Sequence, residues 1–165
     1  MTTYELVNYL FLGGLFFFLG FLMDIPVIMV VWDKLHNLPA ILQLASYIIF
    51  IYFLGVLLSR IGSFLKEISM KWNLFGMKKT SVDYETFVKS EMDDDKLPIL
   101  NRQANLYRNL AGMFLTLTLL YLVDGGFSNI STKAGLAVLL LIFMLIFLLS
   151  WKKQNGYIRR RADNT

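Results

Sequence analysis

Cysteine is absent from the 165 residues, which excludes disulfides, thiolate nucleophiles, thiolate metal ligands and lipidated thiols. Histidine occurs once, as His36 beside Asp33, so catalytic triads, histidine-based metal sites and histidine phosphorelays have almost no material. No GxSxG, HExxH, P-loop or dinucleotide fingerprint is found in the chain. A non-enzyme without metal or cofactor is therefore expected. The three adjacent aspartates, Asp93 to Asp95, lack the spaced ligands and closing glutamate of a calcium loop and read as a solvated turn. No Lys or Arg precedes Lys34, so the positive start of a secretory leader is missing and the first apolar window is expected to be a mature helix.

Apolar residues fill this chain, at 56% of the total. They gather in windows at residues 6–31, 40–58, 110–123 and 134–149, each close to the roughly 20 residues that a helix needs to cross a bilayer core. The expected fold is an all-α integral membrane protein with four transmembrane helices. Residues 1–59 hold helices 1 and 2, residues 60–103 a largely helical insert, residues 104–151 helices 3 and 4, and residues 152–165 a basic tail.

Charge sets the expected orientation. The insert carries Arg60, Lys66, Lys71, Lys78, Lys79, Lys89, Lys96 and Arg102, and the tail carries Lys152, Lys153, Arg159, Arg160 and Arg161. The other two connections hold only Lys34 and Lys133. By the positive-inside rule both termini and the insert are expected to face the cytoplasm. Tyr4, Tyr9, Tyr107 and Trp151 would form the inner aromatic belt, with Trp32 and Tyr121 the outer one. The formal charge of +4 then reflects contact with an anionic inner leaflet, and no nucleic-acid partner is needed to explain it.

The segment SRIGSFLKEISMKW, residues 59–72, spaces Ile61, Phe64, Leu65, Ile68 and Trp72 helically among Lys66 and Lys71. Such a basic amphipathic helix suits the membrane surface or a cytosolic partner. A weak capping box at Thr80 and Asp83 predicts a short helix after it. Asp95 is then available to cap the next helix, with Pro98 in its first turn. From Pro98 the pattern runs unbroken into the third membrane helix. Asn101, Asn105, Arg108, Asn109, Gly112 and Thr116 share one of its faces, and a polar stripe entering a bilayer must face protein or water. Arg60 and Arg108 fall at one depth, near Asn105 and Asn109. They read either as a site for an anion or lipid headgroup or a polar gate at the cytoplasmic mouth of a pore, or as arginines snorkelling to phosphates, and the lack of an acidic or aromatic residue to complete a pocket favours snorkelling.

Asp24 is the one carboxylate inside the first window. Pro26 cannot donate to the Leu22 carbonyl, so helix 1 is expected to kink there, near its outer end. Gly13, Gly14, Gly20, Ala45 and Gly55 permit close backbone approach, within one chain or between copies. Helix 4 is apolar all round after Ala137 and is expected to face lipid.

The stretches LLSRIGSFLKE, YETFVKSE, NLYRNL and SWKKQNGYIRRR resemble a group of small bacterial four-helix membrane proteins. Some of these accompany anti-phage defence genes, as the membrane component of the Kiwa system does. The resemblance implies a homo-oligomeric inner-membrane anchor, sensor or effector that works with a soluble partner. The alternative is a small oligomeric ion channel or transporter with a polar path near Asp24 and Arg108.

Overall fold

The computed structural model describes residues 3–74, 76, 94–124 and 130–163. The expected short helix around Thr80 to Val88 lies outside them. The described residues form five helices and no strand: α1 (Thr3–Leu22), α2 (Pro26–His36), α3 (Ala40–Lys71), α4 (Lys96–Asp124) and α5 (Ile130–Ala162). Four of them, α1, α3, α4 and α5, are long and apolar enough to cross a membrane.

The first apolar window is broken, not merely kinked. The α1 helix stops at Leu22, Asp24 takes a left-handed φ of 52°, and α2 starts afresh at Pro26 after an extended Ile25. The N–H groups at the break are satisfied: the Ile25 N–H donates to the Gly20 carbonyl at 3.0 Å and the Asp24 N–H to the Phe21 carbonyl at 3.1 Å. That six-to-one bond around a left-handed residue is a helix C-cap, usually built on glycine, and aspartate is one of the few other residues that tolerates it. Pro26 then sits where a first helical turn has no use for its missing N–H. Asp24 is exposed, and its residue type is explained by termination of α1.

Two glycine seams make α3 the hub. A methyl group at Gly13 would overlap the Ile51 carbonyl, and one at Gly55 would overlap the Tyr9 carbonyl, so α1 and α3 meet backbone to backbone. Two turns further along the same face of α3, a methyl at Gly62 would lie 2.8 Å from the Arg108 carbonyl, and one at Gly112 would lie 2.7 Å from the Gly62 nitrogen. Gly13, Gly20 and Gly55 thus serve contacts within the chain, whereas Ala45 is exposed.

Around these seams Leu12, Phe16, Ile28, Leu58, Met113 and Leu117 form the main core. A second cluster of Leu97, Ala104, Ala111, Leu148, Trp151 and Ile158 joins α4 to α5, the most extensive helix pairing in the molecule. Phe114 stacks on Phe147 there at 5.5 Å. Two expectations change as a result. The α5 helix buries Ala137, Leu140 and Leu148 against α4 and leaves Val138, Leu139, Ile142 and Leu145 outside, so only part of it is free for lipid. Trp151, expected in an aromatic belt, is 3% exposed in this second cluster, because α4 continues past it and covers the ring.

The α3, α4 and α5 helices extend beyond their apolar stretches at the same end, forming a helical base that ends near Lys71, Lys96 and Ala162. The glycine seams yield a test. Alanine is favoured over glycine in a helix interior by about 1 kcal/mol, so Gly14→Ala, whose methyl finds only an ordinary contact with Ile51, should be neutral or slightly stabilising. Gly55→Ala forces two backbones apart and should lower the unfolding temperature in detergent markedly, by an overpacking cost of about 1–3 kcal/mol or more.

Candidate functional site

A polar cavity of about 320 Å³ opens where the start of α1, the middle of α3 and the first half of α4 meet. Tyr4, Glu5, Asn8 and Tyr9 line it from α1, two pairs at four-residue spacing that share one side of the helix. Ser59 contributes from α3, at the residue where the apolar run of that helix ends. The α4 wall is made of Asn101, Arg102, Asn105, Arg108 and Asn109 with Pro98 at its edge, and the glycine seam at Gly62 holds this wall close to α3.

The polar groups are organised. Asn109 is 2% exposed, and its Oδ1 accepts from both Nε and an Nη of Arg108, each at 3.3 Å. The Tyr4 hydroxyl donates to the Arg102 carbonyl at 3.1 Å, while the Arg102 guanidinium lies 5.1 Å from the centre of the Tyr4 ring. These contacts tie the start of α1 to α4. Lys66 is half-buried on α3, four residues beyond the Gly62 seam with Arg108. Glu5 is the one carboxylate in the lining, against two guanidinium groups. The lining is rich in donors and positively charged, which suits recognition of an anionic oxygen cluster.

The residues singled out from the sequence do not share one place. Asn105, Arg108 and Asn109 meet in the cavity. Arg60 does not join them: it is exposed, and its neighbour Ser59 faces the cavity instead. Thr116 donates its hydroxyl to the Gly112 carbonyl at 2.9 Å, one turn back along α4, and Asp24 lies at the far end of α1. On the amphipathic stretch of α3, Phe64, Lys71 and Trp72 point outward, with Phe64 63% and Trp72 72% exposed. Lys66 and Ile68 are half-buried, and Gly62 and Ser69 take the inward positions. The expected apolar stripe is therefore split between two faces. The α1 half of the cavity was missed; its signal was the spacing of Tyr4, Glu5, Asn8 and Tyr9 at the depth already assigned to Arg108.

The base is latched by Asp94, not by Asp95. Asp94 Oδ1 accepts the Lys96 N–H at 2.9 Å, and Oδ2 accepts from Arg161 in the last turn of α5 at 2.5 Å. The Asp94 carboxylate is the one that both caps α4 and reaches α5, which Asp95 does not do. The Lys96 N–H above all, with the Arg161 guanidinium adding to it, holds this carboxyl below the usual carboxylate range against the opposing effect of desolvation. A depressed folded-state value means that the stabilisation is complete above the unfolded value, about 4, and is lost as pH falls through the folded one. Asp94→Asn should accordingly lower the melting temperature at pH 7, and its difference from the wild-type protein should shrink as the pH is taken below about 4. Comparison with known protein families, curated proteins and solved structures finds no match for this chain.

Proposed function

We propose that the protein is a non-enzymatic component of a bacterial inner membrane, with both termini and the helical base in the cytoplasm, which self-associates and couples a membrane event to a cytosolic protein. One observation carries this reading: α3, α4 and α5 run on past their apolar stretches at one end and pack into a basic platform through Leu97, Trp151 and Ile158. A bundle needing only to sit in lipid has no use for such an extension. Phe64 and Trp72 stand exposed on the platform among Lys66 and Lys71, an amphipathic surface suited to a protein partner or to the leaflet.

Self-association rests on the resemblance stated above, and Ala45, a small residue left exposed on α3, offers close approach to a second copy. The resemblance of residues 57–67 and 150–161 to small membrane proteins found beside anti-phage defence genes supplies the setting: a sensor or effector subunit in defence. A channel within one chain is disfavoured, because Asp24 and Arg108 lie at opposite ends of α1, with Leu12, Phe16, Met113 and Leu117 packed in the interior.

The cysteine-free chain makes the orientation simple to test. A membrane-impermeant maleimide should label Asn37→Cys in intact spheroplasts and Asp163→Cys only after permeabilisation, and the reverse pattern would overturn the orientation. Mass measurement of the detergent-solubilised protein should give several copies per particle; a single-copy particle rejects self-association.

A further inference from the structure

We propose that the cavity between α1, α3 and α4 binds a phosphate group at headgroup level, held by Arg108 and Arg102 with amide donors from the α4 asparagines. Snorkelling, the ordinary use of an arginine at a helix end, would send the guanidinium out along the bundle surface. Arg108 instead turns to Asn109, which is buried, and stays in the lining between α1 and α3. Among the described residues one acceptor atom, Asn109 Oδ1, receives its hydrogen bonds, and no carboxylate lies within ion-pair distance of it. A guanidinium has five N–H donors in a planar fork, so most of the recognition capacity of Arg108 is left for a ligand.

Three further features match phosphate. Arg102 adds a second guanidinium from six residues earlier on α4, so the lining carries two guanidinium groups against the single carboxylate of Glu5. Asn101 and Asn105 follow the same face toward Arg108 and bring neutral donors, which discriminate little between oxyanion charge states but fix orientation. The volume, about 320 Å³, is at the lower end of the range of roughly 300–1,000 Å³ typical of small-molecule sites, larger than a bare ion requires. Ser59, which lines the cavity, comes directly after the apolar run of α3, the depth at which a bilayer presents its phosphates. A phospholipid headgroup and free phosphate share the chemistry, and the test separates them.

The proposal is independent of whether the base docks a partner. Delipidated protein in a neutral detergent is titrated with short-chain phosphatidylglycerol, short-chain phosphatidylcholine and inorganic phosphate, and the thermal shift and calorimetric affinity are read. Stabilisation by phosphatidylglycerol alone assigns a lipid headgroup, and stabilisation by inorganic phosphate as well assigns a free phosphate; either supports the site if Arg108→Gln weakens binding about ten- to a hundredfold. Arg60→Gln, at the same end but outside the cavity, should bind as wild type. Should Arg108→Gln fail to fold, Arg102→Gln and Asn105→Asp probe the same cavity, the latter by placing a negative charge in the lining, and each should weaken binding. Equal affinity for all three probes, no binding of any phosphate-bearing probe, or affinities unchanged in these folded cavity variants, overturns the proposal.

Discussion

Helices in an apolar medium gain nothing from hiding apolar surface from one another, so close backbone contact has to hold them together. In this protein the contact is made twice on one helix. Gly55 of α3 meets Tyr9 of α1, and Gly62 of α3 meets Arg108 and Gly112 of α4. Seven residues separate the two glycines, which is two helical turns, so the seams lie at neighbouring heights on α3. Everything polar in the bundle interior follows from that spacing. The start of α1 and the first half of α4 are drawn to the same level of α3, and their side chains enclose a volume on either side of Ser59.

Much of this arrangement was legible in the sequence because it depends on long periodic segments. The four apolar helices follow from window length, and the unbroken run of α4 follows from the continuous pattern after Pro98, which the structure places in the first turn of Lys96–Asp124. The stripe from Asn101 to Asn109 was readable as one face, and it forms a wall of the cavity. What faces that wall was not readable. Tyr4, Asn8 and Tyr9 look like ordinary interfacial residues until the Gly55 seam sets the register of α1 against α3, and register is a property of packing between segments distant in sequence.

The remaining differences are local competitions that sequence pattern alone cannot rank. Asp94 and Asp95 both precede α4, and the one that also reaches Arg161 becomes the cap; that partner is 67 residues away along the chain. Trp151 has the composition of a belt residue, but the extension of α4 buries it with Leu97 and Ala104. Pro26 permits either a kink or a new helix start, and the left-handed backbone at Asp24 decides for the latter. In each case a tertiary contact or a single backbone conformation overrides a correct estimate of residue type.

Asp24 and Arg108 illustrate how a charge is tolerated in such a bundle. Both fall within segments apolar enough to suggest high desolvation cost, and a lone ion there should be expensive. The two are handled differently. Asp24 ends its helix, so its side chain emerges beside a turn and remains exposed. Arg108 lies inside a continuous helix and cannot leave by that route; Asn109 accepts its hydrogen bonds, and the cavity supplies polar surroundings from three helices. Two charges of opposite sign therefore mark opposite ends of α1. The negative one is accounted for by backbone geometry alone, whereas the positive one requires a lined volume to accommodate it, which is why the structure directs attention to Arg108 rather than to Asp24.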